Sequence, residues 1–435
     1  MSRSLIQELS VVLNRGDCVV SLLSGAMGLD LGLEQAGLHT SLAVEVDELC
    51  CSTMRTNRPG LDVWQTDVNE LDGGSLLQRL GRPKDVFLMV GGPPCQSFCS
   101  GGKRAGLSDP RGNLIYVYLK ILSEIRPRFF VLENVANIVT AALRHRPIAQ
   151  RPGKHWNLSA YDQKKGGTGD GAPDMEPDEL SGSAIRQIIS DMAGLGFHLS
   201  FSVVDSADYG APQRRLRFIM FGARESHAPV MPPPTHGECS ATRVPQRTVR
   251  DAIYDLREEP GPHSKYTPEV ARFFELVPPG GNWRHLPKEL QREALGDASM
   301  AAGGGKTGFF RRLTWDLPAP TITGRANRKG SALCHPEAIR PLSVRECARL
   351  QGFADDWVLS GSMNRQYGQV GNAVPVPLGA AIGRAVLEAA HAGTQAGQNE
   401  SDLEHALLLA VRRLRASARN HGPKKVALDQ QRSLF

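Results

Sequence analysis

A chain of 435 residues is long enough for two domains, or for one large domain with an inserted module. Its 41% hydrophobic and 22% charged residues are ordinary for a globular protein, which excludes a disordered or fibrous chain. The net charge of +6, from 51 Lys and Arg against 45 Asp and Glu, is compatible with a nucleic-acid partner but does not by itself indicate one.

The eight cysteines are scattered, and none forms a Cys-x-x-Cys pair, which argues against a zinc ribbon or a dithiol redox motif. We therefore expect no metal. Residues 1–15 lack the apolar core of a signal peptide, and no apolar run approaches the length of a membrane span. These features predict a protein of the reducing cytoplasm with no membrane partner.

The first elements are a strand, a glycine-containing turn and a helix. Val19–Leu23 is a short apolar strand, and residues 24–28 form the turn before a helical pattern. This order is the usual opening of a nucleotide-binding βαβ unit. Gly25, Gly28 and Gly32 make only a degenerate form of the GxGxxG pattern, so this motif is weak evidence when taken alone.

Two further strands lead into acidic residues. The strand predicted over Ser41–Asp47 contains Glu45, about 20 residues past the glycines, where such folds place a carboxylate on a ribose hydroxyl. A surface acid that begins the next helix explains Glu45 equally well. Val63–Gln65 predicts a third strand, which leads to Asp67.

The fourth predicted strand leads into a stiff turn. Val86–Val90 is apolar, and the two glycines and two prolines of residues 91–94 prevent a helix from starting there. The turn presents Cys95 at the C-terminal end of a strand, where open α/β sheets bind ligands. The thiol could be a catalytic nucleophile, or it could be a small buried side chain, the commonest fate of a free cysteine.

Charged residues also follow or flank two later strands. Phe129–Leu132 predicts a buried strand, and Glu133 comes next, either as a partly desolvated acid or as an exposed strand-end acid. Arg215 and Arg217 share one side of an extended chain, because a strand has a period of two. They could grip an anion or a base edge together, or they could be solvated on an edge strand.

Three regions break the alternation of strands and helices. Residues 141–182 lack periodicity and predict an inserted loop. Residues 223–340 interleave arginines and aromatics among Pro and Gly clusters, which suits phosphate and base contact, although solvated surface explains many of them. Beyond Ala390, a linker leads to an amphipathic helix capped by Ser401 and Glu404. Its arginines either touch DNA or form a solvated helix face.

Two helices are predicted between the irregular module and the C-terminal linker. Ser343–Gln351 is a short helix ended by Gly352. A second helix starts within residues 366–377 and runs to about Ala390.

Together these segments resemble the DNA (cytosine-5)-methyltransferase family, in the family's order, over nearly everything from Val19 to Ala390. The stretches that carry the resemblance are Gly92-Pro93-Pro94-Cys95-Gln96, Glu133-Asn134-Val135, Gln213-Arg214-Arg215-Leu216-Arg217, Arg340-Pro341-Leu342-Ser343 with Arg349-Leu350-Gln351-Gly352-Phe353, and Gly371-Asn372-Ala373-Val374. One departure lies in the first turn. Ser21-Leu22-Leu23 and Met27-Gly28 stand where the family usually has Asp-Leu-Phe and two glycines.

The resemblance implies an α/β fold, namely a Rossmann-like sheet of S-adenosylmethionine-dependent methyltransferases with an inserted, irregular target-recognition domain. It implies a catalytic and cofactor-binding domain over 1–222 plus 366–390, a target-recognition domain and hinge over 223–365, and a C-terminal tail with an amphipathic helix over 391–435. It further implies a monomeric, cytoplasmic bacterial enzyme that acts on a specific sequence of double-stranded DNA. A cognate restriction endonuclease would act on the same site.

The resemblance also implies roles for particular residues. Cys95 is the nucleophile that adds to C6 of a flipped-out cytosine, Glu133 contacts N3 and the exocyclic amine, Arg217 holds O2, and Arg215 positions the base or the flanking backbone. The methyl donor is S-adenosyl-L-methionine, with Glu45 on its ribose hydroxyls and Asp67 on its adenine amine. The full set expected to bind this cofactor is Leu23, Ser24, Gly25, Ala26, Gly28, Glu45, Asp67, Pro94, Asn372 and Ala373.

Three other functions compete with this one. A tRNA cytosine-5 methyltransferase would carry the same catalytic motifs, although the long module over 223–340 favours DNA. An inactive DNA-binding paralogue would tend to lose the nucleophile or the acid, and both are present here. An NAD-dependent oxidoreductase would need a third phosphate-loop glycine and leaves the Pro-Pro-Cys-Gln turn unexplained.

Overall fold

The computed structural model describes residues 18–94, 114–144, 176–297, 308–325, 333–392 and 400–420. These residues form two compact units. The first unit draws on residues 18–91, 205–215 and 231–391, and the second on 92–204, 216–230 and the chain beyond 391. Each unit therefore combines segments that are distant in sequence.

Strands and helices alternate along the first half of the chain, as the sequence predicts. The strands in the described residues are β1 (Cys18–Leu22), β2 (Leu42–Glu45), β3 (Asp62–Gln65), β4 (Val86–Gly91), β5 (Phe129–Val135), β6 (His198–Asp205), β7 (Leu216–Ala223), β8 (Arg311–Arg312) and β9 (Leu333–Cys334). The helices there are α1 (Gly28–Ala36), α2 (Glu48–Asn57), α3 (Gly73–Arg79), α4 (Leu114–Ile125), α5 (Ser183–Gly194), α6 (Val249–Ile253), α7 (Pro268–Leu276), α8 (Lys288–Leu295), α9 (Val344–Gln351), α10 (Met363–Asn372), α11 (Val376–Ala392) and α12 (Glu400–Asn420).

The first unit contains a parallel sheet in the order β3-β2-β1-β4. Its central strands are buried along their whole length, which is why they read as continuous apolar runs in the sequence. Because the strands are parallel, their carboxyl ends lie at one edge. In register, Leu22 pairs with Val44 and Glu45 pairs with Gln65.

Close packing of small residues joins α1 to α11 within this unit. A Cβ atom on Gly32 would lie 2.4 Å from the carbonyl oxygen of Val376 and 2.5 Å from the backbone nitrogen of Ala380. On the other side, a Cβ atom on Gly379 would lie 2.6 Å from the carbonyl oxygen of Leu29. The glycines of α1 thus allow a close approach of two helix backbones.

The helices near the end of the first unit differ in part from the prediction. α9 begins after the N-cap Ser343 and ends at Gly352, which has φ of 90°, as expected. The helix expected to start within residues 366–377 and to run to about Ala390 is α11, which spans Val376–Ala392. A separate helix, α10, precedes it, and the sequence does not predict this helix. α10 ends because the chain is extended at Ala373 and two prolines follow.

The irregular stretch between β7 and α9 has a small core of its own. Its described part contains the short helices α6, α7 and α8 and the two-residue strands β8 and β9. The buried apolar side chains of this core are Phe273, Phe274, Val277, Trp283, Leu286, Ala294, Leu295, Phe310 and Cys334.

The second unit contains three strands in the order β5-β7-β6, with β5 antiparallel to β7. Gly222 permits this packing, since a Cβ atom there would lie 1.9 Å from the ring of Phe130. The hydroxyl of Tyr118 on α4 donates to the carbonyl of Val131 at 3.0 Å. The C-terminal helix α12 packs on the 3-10 helix Ala136–Thr140, which directly follows β5.

One described segment, Met363–Ala392, is long and apolar enough to be tested as a membrane span. Within its most apolar window 78% is buried inside the protein. This burial is typical of a core helix.

Candidate active site

The turn that carries Cys95 enters the second unit beside β5. Cys95 itself lies outside the described residues, but Gly92, Pro93 and Pro94 lie within them. The side-chain amide of Asn134 donates to the carbonyl of Pro93 at 3.2 Å, and its oxygen accepts from the backbone of Val135 at 2.8 Å. This buried bridge fixes the entry of the turn relative to β5.

Glu133 lies next to the same turn. Its side chain is about nine-tenths buried, and its Oε2 atom lies 3.1 Å from where a Cβ atom on Gly92 would stand. A larger residue at position 92 would therefore press on the carboxylate. The expected burial of this acid is present, although its chemical role remains a prediction.

Arg217 pairs with this acid. The Nε atom of Arg217 lies 2.5 Å from Oε1 of Glu133, and both side chains are about nine-tenths buried. Glu133 pairs with Ile219 in the β-ladder and Arg217 pairs with Val135, so the two charged residues are diagonal neighbours on one face. The antiparallel register thus brings together two residues that are 84 positions apart in the sequence.

Arg215 has different partners. Within the first unit, its Nη1 atom donates to the carbonyl of Ile322 at 2.7 Å and Nη2 donates to the carbonyl of Gly371 at 2.9 Å. Its backbone N–H donates to the Asp205 carboxylate at 2.9 Å, and the residue is only 3% exposed. Arg215 therefore binds two backbone segments of the protein, whereas Arg217 binds an acid.

Two buried glutamines extend the contacts of Arg215, and the sequence analysis assigned neither of them a role. Gln213 accepts from the backbone of Ile322 at 3.0 Å and donates to Oε1 of Gln351 at 2.6 Å. Gln351 in turn donates to the carbonyl of Val370 at 2.6 Å. Both glutamines are fully buried. Their role cannot be predicted from the sequence, because a glutamine in a polar stretch is usually exposed.

The expected cofactor residues of the first turn adopt an unusual backbone. Leu23, Gly25 and Met27 all have positive φ, at 58°, 55° and 67°. Such values are costly for residues other than glycine, so the surrounding contacts must hold them. Apart from its two neighbours in the chain, no described residue lies within 4 Å of a Cβ atom built on Gly25, which leaves open space beside the turn among these residues.

Glu45 anchors this turn from the end of β2. Its Oε2 atom accepts from the backbone N–H of Gly25 at 2.8 Å, and its Oε1 atom accepts from the N–H groups of Val46 and Asp47 at 2.9 Å each. The carboxylate is buried, with 8% of the residue exposed. A preorganised carboxylate next to open space fits a ligand that carries hydroxyl or amino donors.

The remaining expected cofactor residues in the first unit occupy several kinds of position. Asp67 is half-buried and caps a 3-10 helix, accepting from the backbone and the side chain of Asn69 at 2.9 and 2.7 Å. Asn372 is exposed at the end of α10, whereas Ala26 and Ala373 are buried.

Gly28 and Ala373 come together, but as packing partners. A Cβ atom on Gly28 would lie 2.9 Å from the Cβ of Ala373 and 2.2 Å from the carbonyl oxygen of Val374. Gly28 thus allows the segment after α10 to approach the first turn. Among the described residues, no group of three or more His, Cys, Asp or Glu could hold a metal ion.

Comparison with known proteins agrees with the fold and the motifs. The family model for C-5 cytosine-specific DNA methylase matches residues 18–147 and 178–388. The chain is 35% identical to the Type II methyltransferase M.Eco47II of Escherichia coli, over 85% of this chain and 78% of that protein. It is 33% identical to M.Sau96I of Staphylococcus aureus, over 86% of this chain and 76% of that protein.

A solved structure confirms the predicted α/β class. A prophage-encoded Escherichia coli protein, assigned as a DNA modification methyltransferase, superposes with a TM-score of 0.54 at 20% identity. The match covers 86% of this chain and 99% of that one. The strand orders 3-2-1-4 and 5-7-6 described above belong to this Rossmann-like methyltransferase fold.

Proposed function

Because this chain belongs to the C-5 cytosine-specific DNA methylase family and transfers a methyl group to C5 of cytosine in DNA, we propose that it acts through covalent attack by Cys95 on C6 of a flipped-out base. The observation that carries this mechanism is the buried pair of Glu133 and Arg217 beside the turn that leads to Cys95.

Covalent attack is needed because C5 of cytosine is a poor nucleophile. Addition of the Cys95 thiolate to C6 forms an S–C6 bond and moves electron density to C5, which can then accept a methyl group. A free thiol has a pKa of about 8.5, so the site must favour the thiolate or accept its proton during attack. Loss of the C5 proton to a base and departure of the thiolate from C6 then restore the ring.

Glu133 and Arg217 match the polar edge of the base. The exocyclic amine, N3 and O2 of cytosine are consecutive atoms of that edge. An acid and an arginine held side by side present an acceptor and a donor to that edge. We assign Glu133 to N3 and the amine, where it balances charge as the thiol adds, and Arg217 to O2.

S-adenosyl-L-methionine, the family's cofactor, supplies an electrophilic methyl group on a sulfonium centre. The open space beside Gly25 and the preorganised carboxylate of Glu45 fit such a ligand. We assign Glu45 to the ribose hydroxyls and Asp67 to the adenine amine. The other residues assigned to cofactor binding are Leu23, Ser24, Gly25, Ala26, Gly28, Pro94, Asn372 and Ala373. Arg215 is assigned as a positioning residue, since it binds the carbonyl that precedes Asn372.

We further infer the organisation and the partners of the enzyme. Residues 1–222 plus 366–390 form the catalytic and cofactor-binding domain, 223–365 the target-recognition domain and hinge, and 391–435 the tail. The monomeric enzyme acts on double-stranded DNA in the bacterial cytoplasm and protects a site that a cognate restriction endonuclease would cut. The expected metal-free mechanism needs only the cofactor and the protein.

Bisulfite sequencing tests the reaction and its target together. The gene is expressed in a host without cytosine methylation, and the Cys95→Ala variant serves as the control. We expect protected cytosines in one sequence context with the wild type and none with the variant. Methylation by the variant at the wild-type level would refute the covalent mechanism.

A suicide substrate tests the covalent intermediate directly. Duplex DNA with 5-fluorocytosine at the target position cannot lose a proton from C5, so the enzyme should stay attached through Cys95. We expect a shifted band on a denaturing gel that requires the cofactor. The same assay with tRNA in place of duplex DNA should give no shift, and a shift with tRNA alone would favour the RNA methyltransferase alternative.

A further inference from the structure

A buried carboxylate lies behind the first turn, and the function described so far gives it no role. Asp30, on α1, is only 1% exposed. The hydroxyl of Thr40 donates to its Oδ1 atom at 2.8 Å, and the hydroxyl of Ser21 binds the same carboxylate. The negative charge of Glu34, which is paired with Arg58 at 2.7 Å, also acts on Asp30. Within the described part of the chain no cation forms an ion pair with Asp30.

This position is expensive for a carboxylate. Burial, opposed by the hydrogen bonds of Thr40 and Ser21, raises the pKa of Asp30 to about 6. The group is therefore mostly ionised above pH 7. An ionised carboxylate can only accept hydrogen bonds, so both hydroxyls must direct their protons towards Asp30.

The direction of these protons sets the hydrogen bonding of the cofactor turn. Ser21 gives its proton to Asp30, which leaves the Ser21 oxygen as an acceptor. The hydroxyl of Ser24 donates to that oxygen at 2.9 Å, and the carbonyl oxygens of Ser21 at 3.1 Å and of Val44 at 3.4 Å are further acceptors for the same proton. The Ser24 proton is thus directed into the protein, and its lone pairs remain available.

We propose that Asp30 is a positioning residue of the cofactor site, which holds Ser24 as a hydrogen-bond acceptor for the positively charged amino group of S-adenosyl-L-methionine. The proposal rests on the assignment of the first turn to that cofactor. A chain of hydroxyls that ends on a carboxylate polarises each member, so the Ser24 oxygen carries extra negative charge. An acceptor of this kind suits an ammonium group and repels a carboxylate.

The test measures the affinity of two ligands for the wild type, for two single variants and for the double variant. Isothermal titration calorimetry at pH 8 measures the Kd of S-adenosyl-L-methionine and of 5′-methylthioadenosine, which lacks the amino acid portion. We expect Asp30→Asn and Ser21→Ala each to weaken the first ligand about tenfold, which corresponds to about 1.4 kcal/mol, because the Ser24 oxygen becomes a weaker acceptor for the ammonium group. The second ligand should bind all variants equally. The double variant should be no weaker than either single variant.

Several outcomes would overturn this proposal. Changes of less than twofold in either single variant, or additive losses in the double variant, would exclude a relay through Ser21. Equal weakening of both ligands by Asp30→Asn would indicate a general loss of structure, and a lowered melting temperature would confirm that reading. We expect the melting temperature of Asp30→Asn at pH 8 to be unchanged or higher, because a desolvated charge is removed.

Glu45→Ala separates this proposal from the proposed function. If the first turn is the cofactor site, this variant loses affinity for both ligands, since both carry the ribose. Normal binding by Glu45→Ala would refute the assignment of the site itself. Loss in Glu45→Ala together with normal binding in Asp30→Asn would refute only the role of Asp30.

Discussion

Arg215 and Arg217 are two residues apart, yet their contacts predict different consequences when each is replaced by methionine. Methionine keeps the apolar stem of the side chain and removes the guanidinium. In Arg215→Met the buried carbonyls of Ile322 and Gly371 lose charged donors at 2.7 and 2.9 Å. Each such hydrogen bond contributes about 1.5–3 kcal/mol to the free energy of unfolding. The variant regains part of this loss, because it no longer buries a charged guanidinium. We expect a net loss of roughly 3 kcal/mol in the free energy of unfolding.

Arg217→Met removes the ion-pair partner of Glu133 instead. Breaking a buried pair can cost about 3–5 kcal/mol, but the acid that is left can take up a proton and avoid much of this cost. We therefore expect about 1–2 kcal/mol of destabilisation. Turnover should suffer more, falling by roughly 10²–10³-fold, the usual effect of losing one donor to a reacting group.

The assay measures three quantities on each purified variant. These are the urea midpoint from circular dichroism, the Kd of S-adenosyl-L-methionine, and the single-turnover rate on duplex DNA with tritiated cofactor. Arg215→Met should lower the midpoint and weaken the cofactor, because it releases the carbonyl of Gly371. Arg217→Met should mainly lower the rate. Arg79→Met, which removes a half-exposed pair with Asp62, is the control and should change none of them.

The opposite pattern would refute this reasoning. If Arg215→Met keeps its urea midpoint and its cofactor affinity but loses turnover, then Arg215 contacts the substrate and its backbone bonds are incidental. If Arg217→Met keeps its turnover, then the pair with Glu133 is structural, and the assignment of Arg217 to O2 of the base is wrong.

Three further predictions concern Gly32, Asp30 and Asn134. Gly32→Ala should lower the free energy of unfolding in urea by about 1–3 kcal/mol, because its Cβ would clash with α11. Gly194→Ala is the matched control and should be neutral or stabilising, because no described residue beyond its chain neighbours and its own helix backbone lies within 4 Å of the added Cβ. Asp30→Asn should raise the free energy of unfolding by up to about 3 kcal/mol above pH 7. The pKa of Asp30 is raised in the folded protein, so the wild type loses stability as the pH rises through about 6. Below about pH 4 the wild type and the variant should be equally stable. Asn134→Ala removes the hydrogen bond to the carbonyl of Pro93. This variant should form the covalent adduct with 5-fluorocytosine DNA more slowly than the wild type, with an unchanged Kd for the cofactor. An equal or faster rate would contradict the bridging role of Asn134.

The strands could be predicted because burial leaves a direct mark on the sequence. Strands with both faces covered, such as β1 and β4, consist mainly of apolar residues, and so do the first four residues of β5. The predicted and observed limits of these three strands differ by at most three residues. The helix predicted to start within residues 366–377 is α11, but the sequence does not predict α10 before it. Residues 363–372 are polar and contain glycines, so only their packing reveals that they form a helix.

Contacts between distant residues could not be predicted in the same way. Asp30 reads as an ordinary acid in the first turn of a helix, and its burial depends on Thr40 and Ser21 in neighbouring elements. Gln213 and Gln351 are 138 positions apart, and only the fold joins their amides. In the sequence, Gly25, Gly28 and Gly32 form only a degenerate nucleotide-binding pattern. In the structure, Gly25 shapes the turn before α1, whereas Gly28 and Gly32 allow close packing of backbones.

The two arginines show why a motif match does not by itself separate chemistry from support. A strand has a period of two, which predicts that Arg215 and Arg217 lie on the same side of one strand. In the structure β7 begins at Leu216, so Arg215 lies before the strand and this period does not apply to it. Gln213 and Arg215 bind backbone in the first unit, and Arg217 binds the acid in the second. The proposed roles therefore predict that loss of Arg215 gives a less stable enzyme that binds the cofactor weakly, whereas loss of Cys95, Glu133 or Arg217 gives an inactive paralogue.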